Sequence, residues 1–111
     1  VTPVELKDFV VEKAEELKCR DLVVLDISDK STVAEFMVVC SGTSKTHVRA
    51  IAENVALEAK RIDQAPLGIE GKESGEWVLV DLGDVILHSM QEQTRDFYQL
   101  EKLWSAHPEK K

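Results

Sequence analysis

Apolar residues recur along this chain with two alternating periods, one helical and one extended. Leu6, Val10, Ala14 and Leu17 are spaced four, four and three apart, which predicts one face of a helix ending near Lys18. Ahead of it, Thr2-Pro3-Val4-Glu5 has the form of a capping box, with Thr2 as N-cap, Pro3 at the first helical position and Glu5 at the third. Leu22 to Ile27 is a β-branched run closed by the turn Ser28-Asp29-Lys30-Ser31. Glu35 to Ser41 predicts a second strand, close enough in sequence to pair antiparallel with the first. After Gly42-Thr43-Ser44 the helical period returns in Val48, Ile51, Ala52, Val55 and Ala59. Pro66 to Gly71 reads as a short strand and Lys72-Glu73-Ser74-Gly75 as a polar turn. Trp77–Val80 and Val85–His88 read as two strands joined at Asp81-Leu82-Gly83-Asp84. Phe97, Leu100, Leu103 and Trp104 mark a C-terminal helix, followed by a tail over 106–111 expected to fray. The order is αββαβββα. The fold class is α/β: a mixed five-stranded sheet flanked by helices, in one layer or two, forming a single domain over 1–105.

Composition agrees and narrows the function. The 111 residues are 43% hydrophobic and 32% charged, the balance of a folded domain. Fourteen basic side chains stand against 21 acidic ones, a net charge of −7. A protein that grips phosphates needs clustered Lys and Arg, and here the basic residues are scattered, so no direct nucleic-acid grip is expected. The acidity repels RNA and anionic membranes and attracts basic protein surfaces. No apolar run approaches the roughly 18 residues of a membrane span. The acidic, amphipathic N-terminal segment is unlike a signal peptide, and Val1 in place of an initiator Met points to a trimmed chain. Cys19 and Cys40 form no CxxC and have no His at ligand spacing, so two reduced thiols in a cytosolic protein are expected, with Cys40 in the core.

The hairpin is the most informative segment. If its loop is Leu82-Gly83, with Gly83 supplying a positive φ, Asp81 faces Asp84, Leu79 faces Ile86 and Trp77 faces His88. Alternation then gives one apolar face, Val78, Val80, Val85 and Leu87, and one mixed face, Trp77, Leu79, Asp81, Asp84, Ile86 and His88. Two opposed carboxylates are a poor choice for stability alone, and aromatics ringed by charge have the composition of a binding hot spot. The competing reading is that a helix covers this face and Trp77 is core. A longer turn would change the register.

Other chemistry is less well specified. Asp81-x-x-Asp84-x-x-x-His88 has metal-ligand types but no further ligand fixed by spacing, so no metal or cofactor is expected. Ser41-Gly42-Thr43-Ser44-Lys45-Thr46 lacks two features of a phosphate loop and reads better as a helix cap by Thr43 or Ser44. His47, in the first turn of that helix, is expected exposed and neutral, since a cation there opposes the dipole. The cysteines have no evident activating partner, and no GxSxG elbow is present. Arg95 and Tyr98, three apart, share a helix face that is either a solvated edge or a contact patch, while Phe97, Leu100 and Trp104 are the better core candidates.

Taken in order, Asp26, Glu35-Phe36, Cys40-Ser41-Gly42-Thr43-Ser44, His47-Val48, Ala50-Ile51-Ala52, Gly68, Glu70-Gly71, Trp77 through Val85, His88, Arg95, Tyr98 and Leu100 through Trp104 give the chain a recognisable outline. It resembles the ribosomal silencing factor family, also called Iojap-like, from about Leu6 to Trp104. The resemblance implies an interaction protein and not an enzyme. Family members bind the large ribosomal subunit through its ribosomal protein number fourteen, block subunit joining sterically and lower translation when nutrients are short. It implies a cytoplasmic protein, and homodimers occur in the family. The implied fold is nucleotidyltransferase-like without the catalytic carboxylate pair: after Gly42 the chain enters a helix, and Asp81 and Asp84 are separated by two residues where the enzymes have one. On this basis the partner surface is Trp77, Leu79, Asp81, Asp84, Ile86 and His88, with Arg95 and Tyr98 at its edge. The alternatives are a metal-dependent nucleotidyl- or phosphoryl-transfer enzyme of related fold, and an adaptor for some other basic protein.

Overall fold

In the computed structural model, which describes residues 1–29, 31–32 and 34–103, helix α1 (Pro3–Glu15) opens on the expected capping box. The Thr2 hydroxyl accepts from the Glu5 N–H at 3.1 Å, and the Glu5 carboxylate accepts from the Thr2 N–H at 2.9 Å. The Thr2 N–H, and after it the Thr2 side chain, hold the Glu5 carboxyl below its usual pKa range. The strands are β1 (Arg20–Asp26), β2 (Phe36–Gly42), β3 (Gly68–Glu70), β4 (Trp77–Asp81) and β5 (Val85–Gln91). Helix α2 (Lys45–Arg61) lies between β2 and β3, and α3 (Glu92–Tyr98) and α4 (Leu100–Leu103) follow β5. The order across the sheet is β1-β2-β5-β4-β3. Only β2 and β5 are parallel, and α2 lies on the crossover such a pair requires.

Strand β2 lies between β1 and β5 and is buried along its whole length. Its residues alternate between two cores. Phe36, Val38 and Cys40 join Val78, Val80, Val85 and Leu87 under α1 and α2, which contribute Leu6, Val10, Val48, Ile51 and Val55. Met37 and Val39 face the other way, into a smaller cluster with Leu25, Ile27, Ala34, Met90 and Leu100. Among the described residues the sheet therefore has one face roofed by two long helices and one covered only in part.

Three expectations are corrected. The C-terminal helix is not continuous: Gln99 adopts a left-handed conformation (φ 49°) that ends α3 before α4 begins. His47 is not simply exposed. Its Nδ1 accepts from the Thr43 N–H at 2.9 Å and its Nε2 donates to the Leu17 carbonyl at 2.7 Å, so it ties the entry of α2 to the end of α1. Ser44 supplies the cap of α2, accepting from the His47 N–H.

The third correction concerns the hairpin. Asp81 pairs with Ile86, Leu79 with His88 and Trp77 with Met90. The Leu82 N–H donates to the Val85 carbonyl at 2.9 Å, so the two-residue loop is Gly83-Asp84 and not Leu82-Gly83. The reason is steric. A tight hairpin loop with positive φ at its first position suits glycine, and Gly83 (φ +88°) takes that place; the expected loop would have put Leu82 there. The pairing moves by an even number of residues, so every side chain stays on its expected face while every cross-strand partner changes. Asp81 and Asp84 are not opposed.

Candidate functional site

The partly covered face of β4 and β5 carries the residues singled out from sequence. Trp77 enters from β4 at a point fixed by Gly71, where a Cβ would collide with the Trp77 carbonyl and where φ is +86°. The indole Nε1–H donates to His88 Nδ1 at 2.9 Å, and the two ring centroids are 5.8 Å apart. His88 itself is 5% exposed, on β5 between Leu79 of β4 and Val39 of β2. Burial lowers its pKa to about 4, so at neutral pH the ring is uncharged and Nδ1 is free of a proton, as an acceptor must be. His88 is thus a support for Trp77 more than a surface contact.

Tyr98, at the end of α3, packs against Trp77 with centroids 4.9 Å apart and ring planes tilted by 49°, and Phe97 meets Tyr98 edge-on at 4.9 Å. Phe97 is 80% exposed. It was expected in the core, because its helical spacing to Leu100 assumed one unbroken helix. The reversal at Gln99 uncouples them: Leu100 is buried in the smaller cluster and Phe97 projects outward. The result is a continuous aromatic file, Phe97–Tyr98–Trp77–His88, running from solvent into the protein.

Leu79 is half-buried and lines a shallow depression of about 240 Å³ with Glu70, Gly71 and Trp77. Ile86 is half-buried and packs against the smaller cluster beside Trp77. Asp81 is half-buried, and its carboxylate accepts the Gly83 N–H at 2.9 Å, a side-chain bond that shapes the turn. The Asp84 side chain is exposed, while its carbonyl accepts from the N–H groups of Glu35 and Phe36 at 2.8 and 3.0 Å. Arg95 is directed elsewhere: its guanidinium donates to Ser41 Oγ at 3.0 Å and lines a separate polar cavity of about 410 Å³ with Asp96 and Gln99. The structure therefore brings together Trp77, Leu79, Ile86, His88 and Tyr98, assigns Asp81 to the turn, and carries Arg95 away.

One apolar residue of the site was missed, Phe97. Leu67, 77% exposed, lies at the hairpin tip, at the other end of β4 from Trp77: its N–H donates to the Asp81 carbonyl and its side chain lies beside Gly83. A leucine just after Pro66 and before the short β3 carries no periodicity, so nothing in the pattern distinguished it. Trp104, the other expected core aromatic, and the tail over 106–111 lie outside the described residues, as does Lys30 of the first turn. Among the described residues no three His, Cys, Asp or Glu side chains gather as a metal site, and no helix is long and apolar enough to cross a membrane.

The family model for "Ribosomal silencing factor during starvation" matches residues 2–111. The chain belongs to the ribosomal silencing factor family. A ribosomal silencing factor of Haemophilus influenzae is 42% identical over 100 residues, covering 90% of this chain and 98% of the relative. A crystal structure of a Chromobacterium violaceum protein superimposes with a TM-score of 0.93 at 36% identity, covering 99% of this chain and 92% of that one. A mouse relative named mitochondrial assembly of ribosomal large subunit protein 1 is 31% identical over 101 residues, 88% of this chain and 44% of its own length. The names within the ribosomal silencing factor family are those of regulatory proteins. The family's mixed sheet is the one described above, so the aromatic file sits on the fold these relatives share.

Proposed function

We propose that this chain docks the open face of its sheet on ribosomal protein number fourteen of the large ribosomal subunit, in the cytoplasm, and sterically blocks subunit joining, repressing translation when nutrients are limiting. The observation that carries the reading is the file Phe97–Tyr98–Trp77, exposed at one end and anchored at the other by the buried His88. Exposed aromatics on a rigid support lose little side-chain entropy on docking and bury large areas, the properties of binding hot spots. Leu79 and Ile86, half-buried on the same two strands, extend the apolar area, and Asp84 offers an exposed carboxylate at the hairpin turn. The name of the mouse relative, which refers to assembly of the large ribosomal subunit, supports that subunit as the partner. The net charge of −7 supports a basic protein as the landing site in preference to rRNA.

The proposed role is steric and involves no catalysis, cofactor or metal. The two hairpin carboxylates are neither opposed nor convergent, since Asp81 closes the turn and Asp84 points to solvent. Arg95, held to Ser41, positions α3 and with it Tyr98.

The test is cosedimentation with purified large subunits, paired with a subunit-joining assay. Tyr98→Ala and Asp84→Lys are both expected to weaken large-subunit binding and restore joined ribosomes while the domain stays folded. Full blocking by both folded variants would rule out this face. A magnesium-dependent turnover of nucleotides, lost in Asp84→Lys, would favour the transferase alternative.

A further inference from the structure

The two cysteines, without evident partners in the sequence, are neighbours in the fold. Arg20 of β1 pairs with Ser41 of β2, and a bulge interrupts the ladder between Arg20 and Val23. Continuing the antiparallel register one residue back sets Cys19 opposite Gly42, two positions from Cys40, and alternation turns both thiols to the helix-covered face. Packing agrees: Cys40 is a fully buried member of the larger core, and Cys19, half-buried, packs against that same core. Both are free thiols.

We propose that Cys19 and Cys40 are a modification site, a dithiol pair that hydrogen peroxide converts into an intramolecular disulfide. The two sulfurs have different roles. The hydrogen bond from the Cys40 thiol lowers the pKa of Cys19 and outweighs burial and the Glu15 charge, which oppose it, with Arg95 a smaller contribution in the lowering sense. That same hydrogen bond, with full burial, pushes the Cys40 thiol up. Cys19 is therefore the accessible attacking thiol and Cys40 the buried resolving one. In the first step the Cys19 thiolate attacks one peroxide oxygen: an S–O bond forms, the O–O bond breaks, and hydroxide leaves to become water on protonation. Cys19 is then a sulfenic acid. In the second step the Cys40 sulfur attacks the Cys19 sulfur: an S–S bond forms, the S–O bond breaks, and the hydroxyl leaves as water with the Cys40 proton. Two thiols and one peroxide become one disulfide and two waters.

A diagonal cross-strand pair lies near the outer limit of disulfide reach, so closure needs a small shift of the backbone. The start of β1 is suited to that shift. It is an edge strand, bulged next to Arg20, with Asp21 in a left-handed conformation (φ 50°). A bond closed against such a shift is of the reducible kind.

The experiment treats the full chain with stoichiometric hydrogen peroxide and reads intact mass, free thiols and the proteolytic map. The expected result is a monomer lighter by two hydrogens, loss of both thiols, a Cys19–Cys40 linked peptide, and recovery of both thiols with dithiothreitol. In Cys19→Ser, Cys40 is expected to resist peroxide in the folded state. In Cys40→Ala, Cys19 is expected to stop at the sulfenic acid and be trapped by dimedone. If Cys40→Ala fails to fold, the wild-type peptide map decides by itself. Sulfinic acid at Cys19 with Cys40 still titratable after unfolding, disulfides only between chains, or undiminished Cys40 oxidation in Cys19→Ser would each overturn the proposal.

Discussion

The two faces of this sheet are cut from the same strands, yet they are finished differently. On one, Val38, Val78, Val80, Val85 and Leu87 are fully buried under α1 and α2. On the other, among the described residues, alternate residues of those strands meet the short α3 and α4 and the loop residues Ile27 and Ala34, and Trp77, Leu79 and Ile86 are left half-buried with Tyr98 and Phe97 exposed beyond them. Since both faces of β2 are apolar, the difference lies in the cover. Two long amphipathic helices close one face and commit it to stability. Among the described residues two short ones, separated by the reversal at Gln99, leave the other partly unpartnered, the face proposed above to dock.

That division can be broken or sharpened by measurement. Ile51→Ala, on the closed face, is expected to cost about 2–5 kcal/mol by urea unfolding, since it leaves a cavity under α2, while the folded fraction still binds large subunits. A loss of binding beyond the loss of folded protein would mean the faces are coupled.

Acidification tests the boundary between the faces. The folded His88 titrates near 4, below the 6.5 of the unfolded ring. The unfolded state therefore takes up its proton first as pH falls. Stability is intact above about 6.5, declines between 6.5 and 4, and stops declining from this source below 4. The total is about 3 kcal/mol. Urea midpoints across that window are expected to fall more steeply for the wild type than for His88→Gln, which keeps an acceptor for Trp77 and cannot take up a proton there.

Trp77→Phe keeps a ring and removes the indole N–H, leaving Nδ1 of His88 without its donor. The expected cost is about 1–2 kcal/mol of stability, with a proportionally larger loss of docking because the smaller ring under Tyr98 is no longer fixed by the bond to His88. Tyr98→Ala, on the open side, is expected to cost about 1 kcal/mol or less in stability while weakening large-subunit binding. If that variant proved as destabilising as Ile51→Ala, the open face would be core and not interface.

Much of this was legible beforehand. The capping box of α1, the stripe of α2, the antiparallel β1–β2 pair and the sorting of β4 and β5 residues between faces all follow from local rules, and each holds. What was not legible depends on contacts remote in sequence or on a choice between locally similar turns. Phe97 and Leu100 have helical spacing, and only the reversal at Gln99 separates them. His47 finds its acceptor at Leu17, thirty residues away. Arg95 and Tyr98 share a face by spacing but diverge, since one reaches Ser41 and the other Trp77.

Alternation and periodicity determine which side of an element is apolar, because backbone geometry repeats every two or 3.6 residues whatever the surroundings. That was enough to assign the elements, their order and the inward faces from the sequence alone. Which inward face receives a full roof, which aromatic is left outside, and which carboxylate becomes part of a turn were decided only in three dimensions. Those outcomes depend on where separate elements meet, and cross-strand partners, unlike faces, change completely when a loop moves by one residue.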